Sequence, residues 1–474
     1  LKQELISIGH HFQSGSDTEV VLHAYAQWGA QSFARLKGMF AFAIWDDQEK
    51  ELILVRDASG IKPLYFTNEE NGIAFASEIR ALQQQVFSNE LNDNWRIYQM
   101  AFGFLPEPMT LYRKVLPLPK GSFLKYRTRT RKYILQSFAH FSYYPKINDR
   151  DEAKALIRQT LTDAVSRQLI ADAPVGIFLS GGIDSSLITL LAAQDGRSKL
   201  KTLSIYFDDP NFSEKKYQDI LIKQVGCDSQ QFLLSEAHFH EHFPSILHHM
   251  DMPSCDGINT WFISRYAREM GFKAILSGVG GDEYFGGYPS FNRIDKAILL
   301  QRLPAPVINL IRSNRAKKLN RLSYLNIEGV KGLYLFLRGH YAPYEIARQL
   351  DASEKEVWQI LNDVPVFQDI SSMPAKEQAS WLEANIYMQN QLLRDTDVMG
   401  MAQSMEIRVP FLYEDVIRLA TSIAPEIKYS GTQPKQLLID SFPELPEAIW
   451  NRQKMGFSFP FADWLKRDPY VSDL

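Results

Sequence analysis

The residues best suited to chemistry lie between positions 173 and 186, where a largely apolar run leads into glycines and hydroxyls. The run 173–179 predicts a buried strand, and the stretch from Leu187 to Ala193, without glycine or proline, predicts a helix. The turn between them therefore lies at a helix N-terminus, where free backbone amides and the helix dipole favour an anion. The residues expected to surround a phosphate there are Ser180, Gly181, Gly182, Ser185 and Ser186.

Asp184 is the unusual member of this turn. A carboxylate repels a phosphate unless a cation lies between them, and Mg²⁺ meets this requirement most simply. A glycine-rich turn that binds nothing is the alternative, but the complete strand–turn–helix context favours an anion site. The phosphate-binding sequence G-x-x-x-x-G-K-[ST] is absent, which argues against a kinase or a GTPase.

A second glycine-rich turn, 277–283, follows a later apolar run. Between the two turns, periodicity predicts strands at 200–207, 231–234 and 272–276 that alternate with helices at 217–224 and 238–250, after a first helix at 151–170. This alternation predicts an α/β fold with a parallel doubly wound sheet, whose ligand lies beyond the carboxyl ends of the strands. Both turns follow the carboxyl ends of strands in that sheet, so they can face each other across one bound nucleotide.

The composition is that of an ordinary globular chain, with 474 residues, 45% hydrophobic and 23% charged, which is long enough for two or three domains. A net charge of −3 provides no basic field for nucleic acid, and no apolar run approaches the ~20 residues of a membrane helix. The two cysteines, Cys227 and Cys255, lie in unrelated contexts, which is typical of a reducing compartment. We therefore expect a cytoplasmic protein.

The first part of the chain has a β-rich pattern. Apolar runs at 39–45 and 52–55 flank a charged turn, and their near-continuous apolar character predicts strands covered on both faces. A helix at 19–28, with 16–18 as capping candidates, provides one cover, and 75–79 predicts a further strand. Proline-rich segments end this half, which places the domains at 1–145 and 146–474.

The segment S-G-G-I-D-S-S, 180–186, resembles the pyrophosphate-binding loop of the N-type ATP pyrophosphatases. The segment S-G-V-G-G-D-E-Y-F-G-G-Y-P, from 277, resembles the second signature of the glutamine-hydrolysing asparagine synthetases, and the match continues through 405–412 and 451–457. The resemblance implies a synthetase domain with a helical C-terminal region. It also implies adenylylation of a carboxylate by ATP, release of pyrophosphate and amidation.

The same resemblance assigns roles to individual residues. It makes Asp184 and Asp282 ligands of Mg²⁺, and it places Lys435 where the family has a lysine that stabilises the adenylylation transition state. Asp397 continues the match as a candidate catalytic residue. The residues implied to contact the adenosine part of ATP are Phe178, Ile205, Ser277 and Gly278.

Four segments of the first half, S-G-S-D, G-M-F-A-F-A-I-W-D, R-D-A-S-G-I-K-P-L-Y and A-S-E-I, resemble successive motifs of the class II glutamine amidotransferase domain. The resemblance implies an αββα sandwich that hydrolyses glutamine to ammonia with an N-terminal cysteine. That cysteine, an early arginine and an N-G-E segment are missing, so only Asp17 is carried over as a glutamine ligand. Because the chain opens within an apparent helix, we expect a truncated sandwich; a natural chain that uses free ammonia is the alternative.

Val279 departs from the resemblance, because the family's asparagine-forming members have a glutamate there that helps ammonia attack the acyl-adenylate. Valine cannot accept a proton, so Asp397 or a group on the substrate does this work, or the acceptor is not aspartate. The polar segment 256–261, with Asp256 and Asn259 as acceptor contacts, favours another carboxylate, such as a sugar acid or a secondary metabolite.

The sequence therefore predicts a ligase whose partners are ATP, glutamine or ammonia, and a small carboxylate, without nucleic acid or membrane, in a chain compatible with a homodimer. Two alternatives stay open. One is an intramolecular amide-forming ligase like the β-lactam synthetases, which have tyrosine at the position of Val279. The other is a degenerate, non-catalytic binding protein.

Overall fold

The computed structural model describes residues 1–83, 90–196, 200–254, 256–312, 317–365, 368–456 and 460–468. It divides into two compact units, Leu1–Asn89 with Lys114–Phe141, and Glu90–Arg113 with Ser142–Leu474. No helix in these described ranges is both long enough and apolar enough to cross a membrane.

The first unit is built on two antiparallel sheets. Its strands are β1 (Ala41–Asp46), β2 (Glu51–Arg56), β3 (Tyr65–Glu69), β4 (Gly72–Ala76), β5 (Leu116–Pro117), β6 (Ser122–Arg127) and β7 (Lys132–Ser137), ordered β1-β2-β6-β7 in one sheet and β4-β3-β5 in the other. Helices Lys2–Ser7, Asp17–Trp28 and Ile79–Gln83 and the 3₁₀ turn Gly29–Arg35 accompany them. The predicted strand at 75–79 is therefore only partly right, because the chain turns into a helix at Ile79.

Strand β2 is covered on both faces, as predicted. Leu54 contributes to a core shared with Phe66 of the second sheet, whereas Ile53 and Val55 face a separate core with Phe33. Strand β1 differs, because it is an edge strand and the Trp45 side chain on it is 51% exposed. The unit thus has a helix-covered sheet stacked on a second sheet, while the four-layer αββα arrangement stays a prediction.

The second unit contains the predicted parallel α/β sheet. Its strands β8 (Val175–Phe178), β9 (Lys201–Tyr206), β10 (Asp228–Leu233), β11 (Ala274–Leu276) and β12 (Glu406–Arg408) lie in the order β10-β9-β8-β11-β12 and all pair in parallel. Periodicity did not predict β12, because a three-residue strand is too short to show a period. The Glu406 and Arg408 side chains of β12 form an ion pair with 2.6 Å between Oε1 and Nε.

Helices surround this sheet and make up the C-terminal region. The α-helices are Trp95–Phe102, Arg150–Gln168, Ile183–Asp195, Lys215–Val225, Glu236–His249, Gly257–Glu269, Gly281–Phe285, Ser290–Gln301, Ala305–Arg312, Gly329–Arg338, Pro343–Leu350, Glu354–Asn362, Ala375–Leu382, Leu393–Met401, Glu414–Ser422, Pro425–Lys428, Gln436–Asp440, Glu447–Trp450 and Phe461–Leu465. Lys317–Asn326 and Pro410–Leu412 are 3₁₀-helical, and Glu383–Leu392 is π-helical. The helical C-terminal region expected from the sequence is therefore confirmed.

The segment Glu90–Arg113 belongs to the second unit, although the sequence placed it in the first half. Its helix Trp95–Phe102 buries Phe102, and the Phe102 ring stacks on the ring of Tyr334 with centroids 5.8 Å apart. Phe104 is also completely buried in this core. The apolar residues of this segment thus contribute to the helical core of the second unit.

Candidate active site

The first glycine-rich turn lies at the carboxyl end of β8, and its own hydroxyls hold its shape. The Ser180 amide donates to Ser185 Oγ at 3.2 Å, and the Ser185 hydroxyl donates to the Gly182 carbonyl at 3.2 Å. The helix Ile183–Asp195 starts directly afterwards, with the Ser186 amide bonded to the Gly182 carbonyl at 3.1 Å. The amides that precede Ser186 in the first helical turn have no intrahelical acceptor, so they are available to an anion.

The second glycine-rich turn lies beside the first because β11 pairs with β8 in parallel. Glycine allows the closest approaches between the chain segments here. A Cβ atom at position 281 would lie 2.5 Å from Asp184 Cγ, and a Cβ atom at 287 would lie 1.8 Å from Asp282 Oδ1. Both distances are far shorter than a van der Waals contact, so side chains at Gly281 and Gly287 would push the two aspartates out of place.

Lys435 brings the two aspartates together. Its Nζ atom donates to both oxygens of Asp184, at 2.7 Å for Oδ1 and 2.5 Å for Oδ2, and forms an ion pair with Asp282. Lys454 contacts the other side of Asp282, with 2.5 Å between Nζ and Oδ2. Lys435 is only 6% exposed, and its backbone has a φ of 61°, which is unusual for a residue other than glycine. Such backbone strain occurs preferentially at functional sites.

The charged groups of this cluster change one another's pKa values. Burial raises the pKa of Asp282, but the ammonium groups of Lys435 and Lys454 outweigh burial and lower this pKa to about 2. Burial would lower the pKa of Lys435, but the two carboxylates outweigh it and raise this pKa. Burial raises the pKa of Asp184, and the nearby charge of Asp282 adds to the effect. Asp184 and Asp282 thus share the buried Lys435 ammonium, and Asp282 has a second ammonium partner in the more exposed Lys454.

The donor set of this cluster fits Mg²⁺. Carboxylate oxygens are the protein ligands that Mg²⁺ prefers, and Asp184 and Asp282 already converge on one cation, the Lys435 ammonium. Among the described residues, no group of three or more His, Cys, Asp or Glu side chains converges to hold a metal. At nucleotide sites, Mg²⁺ is usually bound by one or two carboxylates, and water and phosphate oxygens fill its remaining coordination positions.

A cavity of about 520 Å³ opens from this cluster. Twelve of the residues predicted from the sequence line it: Phe178, Ser180, Gly182, Asp184, Ser185, Ile205, Asp256, Asn259, Ser277, Gly278, Asp282 and Lys435. The other two residues of the first turn are not in its described lining. Gly181 lies in the turn with a φ of 91° and offers its carbonyl to Arg452, and Ser186 is buried in the first helical turn.

Sequence reasoning gave no role to two basic residues of the cavity wall, Arg452 and Lys454. The Arg452 guanidinium lies 3.8 Å from the centroid of the Tyr217 ring, and its Nη2 donates to the Gly181 carbonyl at 3.1 Å and to Glu214 at 2.5 Å. Its Nη1 is buried and has no hydrogen-bond partner within the described part of the chain. Two basic residues within three positions, in the matched segment 451–457, were the available signal.

The cavity is also lined by Asp256, Asn259 and Val279. Tyr387 and Asp395 also line it, and neither was singled out from the sequence. The Tyr387 hydroxyl donates to Asp256 Oδ2 at 3.4 Å. Burial raises the pKa of Asp256 to about 6, and the charge of Asp395 contributes to this rise. The cavity lining beside Tyr387 thus contains two carboxylates, those of Asp256 and Asp395.

The remaining predicted residues lie elsewhere. Asp397 is half-buried on the helix Leu393–Met401 and is not among the described residues lining the cavity, where Asp395 and Thr396 of the same helix are found. Asp17 is exposed at the start of the helix Asp17–Trp28, whose N-cap Ser16 accepts from the Thr18 amide as predicted. Cys255 lies outside the described residues. The roles of Asp397 and Asp17 stay predictions.

Comparison with known proteins identifies the family. A family model described as asparagine synthase matches residues 156–472, and one described as a glutamine amidotransferase domain matches residues 1–138. Glutamine-hydrolysing asparagine synthetase 1 of Bacillus subtilis is 31% identical over 485 residues, which cover 99% of this chain and 75% of that protein. A putative glutamine-hydrolysing asparagine synthetase of Mycobacterium tuberculosis (strain H37Rv) is 30% identical, covering 97% of this chain and 72% of that protein. Amidase chry2 of Gibberella zeae is 24% identical, covering 96% and 74%. This chain, as its glycine-rich turns predict, therefore belongs to the asparagine synthase family and is a carbon–nitrogen ligase of that type.

Proposed function

We propose that this protein is an ATP-dependent amidotransferase that converts a carboxylate into an amide with ammonia taken from glutamine. The products are AMP, pyrophosphate, glutamate and the amide. The observation that carries the proposal is the contact of the Lys435 ammonium with both Asp184 and Asp282, at the ends of two neighbouring parallel strands. This arrangement suits a nucleotide that is cleaved between its α- and β-phosphates.

In the first step, an oxygen of the acceptor carboxylate attacks the α-phosphorus of ATP, and the bond from that phosphorus to the bridging oxygen breaks. Lys435 donates to the α-phosphate oxygens, on which negative charge grows. The amides and hydroxyls of Ser180, Gly181, Gly182, Ser185 and Ser186 hold the departing pyrophosphate at the helix N-terminus. Arg452, with an unpaired Nη1 on the cavity wall, adds a further donor for phosphate.

Asp184 and Asp282 would hold Mg²⁺, which when bound would neutralise charge on the pyrophosphate. Phe178, Ile205, Ser277 and Gly278 surround the adenosine, since all four line the cavity at the ends of β8, β9 and β11. Gly278 allows the two turns to lie close together, because a Cβ there would be only 2.9 Å from Asp184 Cβ.

The first unit supplies ammonia. Its match to the glutamine amidotransferase domain supports glutamine as the nitrogen donor, with an αββα sandwich in which Asp17 binds the α-amino group of glutamine. Use of free ammonia in place of glutamine is the alternative. Adding glutamine or ammonium chloride to the complete protein and measuring glutamate together with the amide distinguishes the two sources.

The acceptor in this proposal is a carboxylate other than aspartate, bound at Asp256 and Asn259. Val279 lines the cavity at the position where the asparagine-forming relatives have a proton-accepting glutamate. The names of the relatives differ: two at about 30% identity are named asparagine synthetases, and one at 24% identity is named an amidase. This difference supports a change of acceptor at a common site.

Exchange of radiolabelled pyrophosphate into ATP tests this proposal, because it reports reversible adenylylation without requiring the second step. The full chain is given ATP, Mg²⁺ and, in turn, aspartate, glutamate and glucuronate. We expect exchange with a carboxylate other than aspartate, loss of exchange in Asp184→Asn, and no change in Asp208→Asn, a control at an exposed aspartate. Rapid formation of asparagine and AMP would overturn the acceptor assignment, and absence of exchange with every carboxylate would favour a non-catalytic binding protein.

A further inference from the structure

Val279 leaves the amidation step without an obvious proton acceptor. When ammonia adds to an acyl-adenylate, the new C–N bond carries an NH₃⁺ group, and this group must lose a proton before the amide can form. Val279 lies on the cavity wall but cannot accept the proton. The cavity therefore has to supply a base from another position, and the following inference rests on the proposed function.

Most carboxylates of the cavity wall are already engaged. Asp184 and Asp282 pair with Lys435, Glu214 pairs with Arg452, Glu283 accepts from the Gly280 amide and the Tyr288 hydroxyl, and Asp395 accepts from Ser254 and Arg394. Asp256 differs from all of them. Among the described residues, its carboxylate forms no ion pair and receives a single hydrogen bond, from the Tyr387 hydroxyl at 3.4 Å to Oδ2. Its other oxygen, Oδ1, is therefore available to a substrate group.

Tyr387 is held firmly in place. The guanidinium of Arg338 lies 3.7 Å from the centroid of its ring, and the ring of Tyr288 meets it edge-on with centroids 5.9 Å apart. Arg338 is itself fixed by an ion pair of 2.6 Å with Glu383. Tyr387 also belongs to the π-helical segment Glu383–Leu392, and π-helical turns occur frequently at functional sites. The hydroxyl that orients Asp256 is thus part of a rigid assembly.

We propose that Asp256 is the general base of the amidation step and that Tyr387 is its positioning residue. Ammonia attacks the acyl carbon, and its lone pair forms the C–N bond while the carbonyl electrons move to oxygen. Asp256 Oδ1 removes one proton from the resulting NH₃⁺ group, the tetrahedral intermediate collapses, and the bond to the AMP oxygen breaks. The products are the amide, AMP and a protonated Asp256, which returns its proton to water.

The electrostatics of Asp256 suit this role. Burial and the charge of Asp395, on the facing helix Leu393–Met401, raise the pKa of Asp256 to about 6. The Tyr387 hydrogen bond and the charge of Arg338 act in the opposite direction. A carboxylate with this pKa is mostly ionised at neutral pH and is a stronger base than an ordinary aspartate.

The kinetic test uses the full chain and the carboxylate that supports the fastest pyrophosphate exchange among aspartate, glutamate and glucuronate. Because Asp256 also contacts the acceptor in the proposed function, exchange is measured at saturating carboxylate. In Asp256→Asn we expect exchange to fall far less than amide formation from ammonia, which should fall by at least ~100-fold. Hydroxylamine should largely restore product formation, because its adduct is more acidic and loses its proton readily to water. Asp208→Asn, at an exposed aspartate, is the matched control and should change neither rate.

Tyr387→Phe tests the positioning role. Loss of its hydrogen bond removes an interaction that lowers the pKa of Asp256, so the acid limb of amide formation, measured per unit of free ammonia, should move to higher pH. A residue with a purely structural role would lower the rate without moving this limb. An unmoved limb would therefore overturn the role given to Tyr387.

The outcomes separate this inference from the proposed function. Absence of exchange with every carboxylate counts against the proposed function, whereas normal exchange with undiminished amide formation in Asp256→Asn counts against Asp256 alone. A parallel loss of exchange and amide formation in a folded Asp256→Asn also overturns the role as base. Infrared titration needs no acceptor: a carboxyl band that titrates near pH 6 in the unmutated chain should vanish in Asp256→Asn, and its persistence would contradict the assignment.

Discussion

Lys435 Nζ lies 2.5 Å from Asp184 Oδ2, although the two residues are 251 positions apart in the sequence. The contact joins the turn after β8 to the last third of the chain, and Asp282 reaches the same ammonium from the turn after β11. Three remote segments thus meet at one charge, and the proposed function gives this charge a chemical role in addition to its structural one.

Substitution of Lys435 by methionine should affect stability and catalysis together. It leaves the buried Asp184 and Asp282 carboxylates without their ammonium, so we expect the free energy of unfolding to fall by about 3–5 kcal/mol. Pyrophosphate exchange should fall by at least ~100-fold, because the proposed donor to the α-phosphate is lost. Urea unfolding monitored by circular dichroism and the exchange assay measure the two effects.

Lys428→Met is the matched control for this substitution. Lys428 is also fully buried and pairs with the Glu377 carboxylate at 2.6 Å, but it does not appear in the described lining of the cavity. The control should lose comparable stability yet retain exchange in its folded fraction. Equal loss of exchange in both variants would show that Lys435 acts only through folding.

Gly287→Ala should disable adenylylation without removing any charge. The added Cβ would lie 1.8 Å from Asp282 Oδ1 and 2.5 Å from Lys435 Cε, so the aspartate and the lysine must separate. We expect pyrophosphate exchange to fall at least ~10-fold, which corresponds to about 1.4 kcal/mol of lost transition-state stabilisation. Gly15→Ala, where a Cβ meets nothing within 4 Å, is the control, and full exchange in both variants would contradict the geometry.

The pH dependence of stability should report the Asp282 ion pairs. The pKa of Asp282 is lowered in the folded state to about 2, from 3.8 for the free side chain. Its contribution to stability is therefore complete above pH ~4 and is lost as the pH falls towards ~2, because the unfolded state takes up the proton first. Urea unfolding between pH 5 and pH 3, without metal, should show a shallower decline in Asp282→Asn than in the unmutated chain. Identical slopes would show that the lysines do not hold this carboxylate.

A base at position 279 should compensate for a missing base at position 256. Both residues line the same cavity, so in Asp256→Asn the further change Val279→Glu should recover amide formation by at least ~10-fold. Val279→Gln in the same background matches the size of glutamate but cannot accept a proton at neutral pH. Equal rates for the glutamate and glutamine variants, with pyrophosphate exchange intact, would argue against a missing base.

The sequence predicted the parts of the site that depend on local pattern. The strand–turn–helix around Ser180 and the second turn at Ser277 could be recognised because each is a contiguous segment with a strong periodicity change. Parallel alternation then placed both turns at one edge of the sheet. The order of the strands could not be predicted, because the pairing of β8 with β11 depends on packing across the whole unit.

The parts of the fold and the site that were not predicted depend on contacts between residues far apart in the sequence. Tyr387 lies 131 positions from Asp256, and the π-helical segment that carries it has no signature in a single sequence. The family resemblance, not local pattern, assigned Asp397 to the site, and its role stays a prediction. The described cavity lining instead includes Asp395, two positions earlier on the same helix, and sequence pattern did not single this residue out. The short strand β12 was not predicted either, because only its pairing with β11 defines it.

The attachment of Glu90–Arg113 to the second unit has a consequence for how the protein can be divided. The first unit consists of two separate stretches of chain, so neither a single cut nor a single recombination point can separate it from the second unit. A fragment ending near residue 141 would carry the helix Trp95–Phe102 without the partners of Phe102 and Phe104, and its apolar surface would promote aggregation. Exchange of modules between relatives should therefore succeed only when residues 90–113 are inherited together with the ligase half.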